Sequence, residues 1–156
     1  MGCQAAVIAN SLHLGDDHGM EDFLTRNGWV FDSADGFIAH IGGLWHLTNQ
    51  AGNHYGFVTR DIHANRNGVV HGGMIMSFVD RAFGMHSRLS SGSAKSATVS
   101  LSHQFVAPLQ LGKFAALTPR IVKLTPRMAF IEGTVMCDDQ PIVQAQGVWR
   151  LARRDA

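Results

Sequence analysis

The 156-residue sequence predicts an α+β fold in which a curved antiparallel sheet wraps round one long central helix, at about residues 73–88. Three observations carry this. Met74 to His86 is apolar on nearly every side except at Asp80 and Arg81, and a helix that is hydrophobic all round is a buried one. Four strand-like stretches follow, at 97–105, 114–123, 128–136 and 142–151, and two precede it. A single sheet wrapped round the helix covers only part of it, which leaves the remainder for a partner subunit.

Taken in order, residues 1–36 form an N-terminal extension to a domain spanning 37–156. Within the extension, residues 17–29 suit a short helix with Met20, Phe23 and Leu24 on one face, ended by Asn27-Gly28. A first strand opens at 37–42 and continues through 44–48 across a glycine kink. Ala51-Gly52-Asn53 turns the chain, and 55–59 returns antiparallel towards Ile62. The glycine-rich stretch from Gly68 to Gly73 leads into the long helix, and Ser90 to Lys95 is a loop by composition. Beyond it Val99, Leu101 and His103 alternate with Ser100, Ser102 and Gln104, and Val143, Ala145, Gly147 and Trp149 mark one face of the last strand. Turns fall at Pro108 to Gly112, Thr125-Pro126-Arg127 and Asp138 to Pro141.

Composition excludes several classes. Thirteen basic against twelve acidic residues leave a net charge of +1, too balanced for a general nucleic-acid binder. The local basic run of Arg150, Arg153 and Arg154 reads as a solvated tail. Charged residues make up 16%, against a usual figure of about 25%, which favours subunit association. Cys3 and Cys137 lie far apart and imply a reducing compartment without a disulfide framework. No apolar run reaches the length of a membrane span. The start, Met1 to Ala6, lacks the basic and apolar parts of a secretory signal, and Ala6 stands where a myristoylation site wants Ser or Thr. A cytoplasmic protein with no membrane partner is expected.

The chemistry gathers at the start of the long helix. Helix N-termini present unpaired N–H groups, and Gly72 and Gly73 have no Cβ to keep a substrate carbonyl away from theirs. Such a turn serves as an oxyanion hole, or merely lets the chain pack tightly. His71 either holds the turn or helps place the carbonyl, and Asn65 supplies a further amide donor. Asp80 interrupts an apolar helix, where an unpaired carboxylate is costly. It is either functional or paired with a cation such as Arg81. Asp80 lies nine residues after His71, hence about 13.5 Å along the axis and half a turn round it. If both act on one carbonyl they belong to different subunits, so a dimer with two composite sites is expected. Nine histidines, His40 and His46 among them, show no zinc-type spacing, and no Gly-x-Ser-x-Gly elbow is present.

Asn65, Gly68, His71-Gly72-Gly73 and Asp80 together resemble the motif of hotdog-fold acyl-CoA thioesterases of the phenylacetic-acid-degradation (PaaI-like) type. The resemblance runs from about Phe37 to Leu151 and includes the Pro108 to Gly112 turn. It implies hydrolysis of an acyl-CoA thioester, with the Gly72 amide and Asn65 polarising the carbonyl. Asp80 of the neighbouring subunit is implied as general base or nucleophile, with Thr98 orienting the water or the carboxylate. His71 and Gly73 complete the implied substrate-binding turn. No cofactor or metal is implied, since coenzyme A enters as part of the substrate. Its phosphates need cations, for which Arg88, Lys95, Lys123 and Arg127 are candidates. A homodimer, paired further into a dimer of dimers, is the implied assembly. The helix at 17–29 then either packs on the domain or forms a lid over the acyl pocket. The competing reading is a non-catalytic acyl-CoA-binding hotdog module. The His-x-Phe-Pro-Gly segment of hotdog dehydratases is absent.

Overall fold

The long apolar stretch folds as helix α3 (Gly72–Ser91), with Val79, Ala82 and Phe83 fully enclosed at its middle. In the computed structural model, which describes residues 17–152, α3 lies against one face of an antiparallel sheet. Before it come α1 (Asp17–Arg26), β1 (Val30–Asp32), α2 (Phe37–His40), β2 (Leu44–Asn49), β3 (Gly52–Val58) and a 3-10 turn (Asp61–His63). After it come β4 (Ser96–Phe105), β5 (Phe114–Leu117), β6 (Arg120–Leu124), β7 (Met128–Cys137) and β8 (Gln140–Leu151). The strands run in the order β1-β2-β3-β5-β7-β8-β4, with β6 also paired to β7. β4 is therefore the edge next to α3, bonded only to β8.

Alternation along the strands sorts the core into two layers. Tyr55, Phe57, Ala115, Leu117, Ile131, Val143 and Trp149 face α3, where Phe57 meets Phe78 at 4.7 Å and Trp149 meets Phe83 edge-on at 5.5 Å. Burying each of the larger of these side chains contributes about 1.5–3 kcal/mol. On the opposite face Trp45, Val58 and Phe114 receive Met20 and Leu24 of α1 together with Trp29. Helix α1 thus packs on the outer face of the sheet, away from α3, and does not act there as a lid. Expectations for residues 1–16 lie outside the described residues.

Three expectations are corrected, and one strand was not expected. Residues 37–42 are not a strand: Phe37–His40 is one helical turn, and Gly42 and Gly43 both take positive φ (95° and 70°), which no strand accommodates. The edge strand β1, in the N-terminal extension, pairs with β2 and was not foreseen from three residues. β3 stops at Val58, because the Arg60 amide bonds His63 Nδ1 and the chain turns, leaving Ile62 exposed. The single strand expected at 114–123 is two, divided at Thr118-Pro119, where proline has no N–H for the ladder. His40 and His46 accordingly sit on different elements, α2 and β2.

Candidate active site

The turn before α3 is built by its own side chains. Asn65 Oδ1 accepts from the amides of Asn67 at 2.8 Å and Val69 at 3.3 Å, while Gly68 takes φ 75° at the tip. The Asn65 amide and carbonyl bond Val69 and Gly68, and an isolated bridge joins Ala64 to Val70. His71 then caps the helix: its Nδ1 accepts from the Gly73 amide at 2.8 Å, so this nitrogen carries no proton. Its own amide bonds the His63 carbonyl at 2.7 Å, which fixes the turn to the 3-10 segment. The Gly73 amide is thus already satisfied, which leaves Gly72's as the open donor of the pair. Gly72 sits close to β4: a Cβ there would lie 3.2 Å from the Phe105 ring, a tight contact that the ring would have to shift to relieve.

Two turns into α3, Asp80 meets β4. The Thr98 hydroxyl donates to Asp80 Oδ1 at 2.6 Å. A β-bulge makes this possible. Thr98 pairs with Trp149 and Ser100 with Val148, so Val99 is an extra residue in β4. The bulge shifts the pleat, so that Thr98, Leu101, His103 and Phe105 all sit opposite the α3-facing residues Trp149, Gly147, Ala145 and Val143. Val99, expected on the buried face by plain alternation, is instead 57% exposed.

Arg81 does not pair with its neighbour Asp80. It reaches Asp32 of β1 at 2.9 Å, tying the helix to the far edge of the sheet. Asp80 has no ion pair among the described residues, and the Thr98 hydroxyl is its hydrogen-bond donor. His103, which the sequence offered only as a member of an alternating strand, also belongs to this neighbourhood. Its ring stacks on Phe105 with centroids 6.2 Å apart, and its Nε2 is buried without a partner. Burial holds its imidazole below the usual range, while the Asp80 charge acts in the opposite sense. A polar side chain at an inward strand position was the available signal for His103. Phe105 carried none, since its contact with Gly72 spans 33 residues of chain.

Within one chain the structure therefore brings together Asn65, Gly68, His71, Gly72 and Gly73 at the helix start, and Asp80 with Thr98 two turns on. Thr98 is exposed and Asp80 only partly covered, so this pair lies open on the protomer.

A long helix cradled on one face by a curved antiparallel sheet is the hotdog fold. The chain belongs to the thioesterase superfamily, whose family profile matches residues 67–144, half of its length. Zebrafish thioesterase superfamily member 2 superposes with a TM-score of 0.69 and 21% identity, covering 77% of this chain and 89% of that one. A variant of the phenylacetic acid degradation protein PaaI from Thermus thermophilus gives 0.66 and 21%, covering 76% of this chain and 100% of that one. A hypothetical thioesterase from Streptococcus pneumoniae, solved with coenzyme A, gives 0.66 and 13%, covering 81% and 99%. These likenesses show the shared fold. No curated protein matches the sequence.

Proposed function

We propose that the protein hydrolyses acyl-CoA thioesters to free acid and coenzyme A, at composite sites between two copies of the chain. The observation that carries this is Asp80: a carboxylate held by the Thr98 hydroxyl at 2.6 Å, without a cation, on the open side of α3. A carboxylate held in place by a hydroxyl on one oxygen offers its other oxygen to a water molecule. The Gly72 amide, at the positive end of a 20-residue helix, and Asn65 Nδ2 are the donors for the thioester oxygen. Asn65 Oδ1 is occupied in the turn, which turns the NH2 group to the donor role.

Gly72 and Asp80 of one chain are separated by about 12 Å of helix rise. An antiparallel pairing of two α3 helices places each Asp80 beside the other chain's Gly72. In that arrangement Asp80 takes a proton from water, the oxygen attacks the carbonyl carbon, the C–S bond breaks and coenzyme A leaves as the thiolate. Alternatively Asp80 attacks directly, expelling the same thiolate and leaving an anhydride that water opens. Two such dimers form the dimer of dimers.

The test is release of free thiol from a panel of acyl-CoAs by wild-type protein and Asp80→Asn. Turnover that drops by about 100-fold or more in the variant supports a catalytic Asp80. Equal turnover by both proteins removes Asp80 from the mechanism. Tight binding of the panel with no thiol release by wild type replaces hydrolysis by the acyl-CoA-binding module.

A further inference from the structure

The last two turns of α3 and the β2–β3 hairpin enclose a cavity of about 600 Å³ with no acidic residue in its wall. Met85, Arg88, Leu89 and Gly92, at i, i+3, i+4 and i+7, line its helical side. It lies towards the opposite end of α3 from Gly72. Arg88 stands eight residues beyond Asp80, hence about 12 Å further along the axis.

Most polar side chains in the wall are already spent. The His54 ring nitrogens meet Thr118 Oγ1 at 2.7 Å and Asn49 Oδ1 at 3.1 Å. The Thr48 hydroxyl donates to Asn53 Oδ1, and the Ser93 hydroxyl to the Lys95 carbonyl, each at 2.8 Å. Arg88, Tyr55 and His46 keep donors to spare. Arg88 is half-buried and forms no ion pair among the described residues; its hydrogen bond to the Ser96 hydroxyl is long, at 3.4 Å. Burial and the charge of Arg81 hold its guanidinium below the usual range, and the carboxylate of Asp32, which acts in the opposite sense, is bonded to Arg81. Such a cation carries a desolvation cost that a bound anion offsets. Tyr55 is buried with its ring edge-on to His86, and burial pushes its hydroxyl up to about 12, so it stays a donor. His46 stands opposite Tyr55 in the strand register.

We propose that this cavity binds a carboxylate carried on a short apolar body, the carboxylate taken by the Arg88 guanidinium and the Tyr55 hydroxyl, the apolar part by Met85 and Leu89. A guanidinium is a planar fork that matches a carboxylate, and the phenol adds a donor. One cation beside neutral donors and apolar walls suits a single negative charge better than a phosphate. The volume lies within the range of small-molecule sites, about 300–1,000 Å³. Two sources share this chemistry: a free carboxylic acid, and the remote carboxylate of an acyl group whose thioester is held at Asp80. The second source rests on the proposed thioesterase reading; the carboxylate site does not.

Backbone amide shifts of isotope-labelled wild-type protein, Arg88→Gln and Tyr55→Phe, titrated with octanoate and with octanamide, test the site. Octanoate should move the amides of residues 46–55 and 85–94 and bind wild type about tenfold or more tighter than octanamide, which has the same tail without the charge. Arg88→Gln should erase that preference and Tyr55→Phe reduce it. Equal binding of acid and amide to wild type overturns the proposal without recourse to any variant. So does octanoate binding to a folded Arg88→Gln protein within about threefold of wild type, or the absence of shifts around the cavity. Thiol release from suberoyl-CoA and octanoyl-CoA, which differ by a terminal carboxylate, then separates the sources. A lower KM for suberoyl-CoA that Arg88→Gln abolishes assigns the site to the end of an acyl group; equal KM values assign it to a free acid. Selective octanoate binding with no thiol release from either thioester would overturn hydrolysis and leave the carboxylate site standing.

Discussion

At the scale of single side chains the proposed chemistry rests on Thr98 and Asp80. A hydroxyl that donates to one carboxylate oxygen fixes the plane of the carboxylate and leaves the second oxygen to water. Thr98→Val keeps the shape and removes that bond. It should lower kcat by about tenfold or more with little change in KM, because the bond orients the base without touching substrate in the ground state. Thr98→Ser should recover most of the activity. Equal kcat in all three proteins would make the hydroxyl a bystander. His71 illustrates a different division of labour. Its Nδ1 is spent on the Gly73 amide, so that nitrogen holds the turn.

At the scale of elements the decisive feature is the free edge of β4. Ten residues long and bonded on one side only, it presents Val99 and Phe105 at 57% and 52% exposure, with Val106 just beyond its end at 58%. A long edge with apolar side chains is a template for pairing. A second copy paired along it would extend the sheet and lay the two α3 helices side by side, as the proposed composite site requires. Val99→Lys places a charge on this edge. Light scattering should then give the mass of the 17.0 kDa chain, with wild type at twice that or more, and thiol release should fall with the loss of dimer. A variant that keeps the wild-type mass would place the interface elsewhere. Two other elements owe their form to one local cause each. Pro119 divides β5 from β6, and the Gly42-Gly43 pair turns the chain into β2.

The whole molecule buries imidazoles that its function does not obviously use. His54, His86 and His103 are each held below the ordinary histidine value mainly by burial, with Asp80 opposing the shift at His103. Between those lowered values and about 6.5 the unfolded chain binds more protons than the folded one. Stability is then full above about pH 6.5 and falls as the solution is acidified. The melting temperature should accordingly be level from about pH 8 to about 7 and decline towards pH 5. A level profile over the whole range would mean that these rings are protonated as readily in the fold as outside it. Tyr55 and Cys137 are pushed up to about 12 and about 11 by burial, so both stay protonated throughout and the Cys137 thiol should resist modification.

The long helix, its glycine start, the lone Asp80 and the later strands were legible in the amino-acid order, because each depends on residues close together in the chain. Apolar residues on every side of one helix, Gly72-Gly73 after His71 and turn residues between alternating stretches are local signals of backbone conformation and burial. Tertiary structure alone decided which distant groups meet. Plain alternation puts Val99 on the buried face and Thr98 with the outward serines; the pairing of β4 with β8 inserts a bulge and turns Thr98 towards Asp80. Arg81 adjoins Asp80 in sequence, yet the helix points it at Asp32 of β1. Tyr55 and Arg88 show no pattern along the chain and share one cavity only because α3 packs across β3. Register, bulges and ion-pair choice are set by contacts across the sheet, and their energies depend on partners that no short stretch of sequence contains.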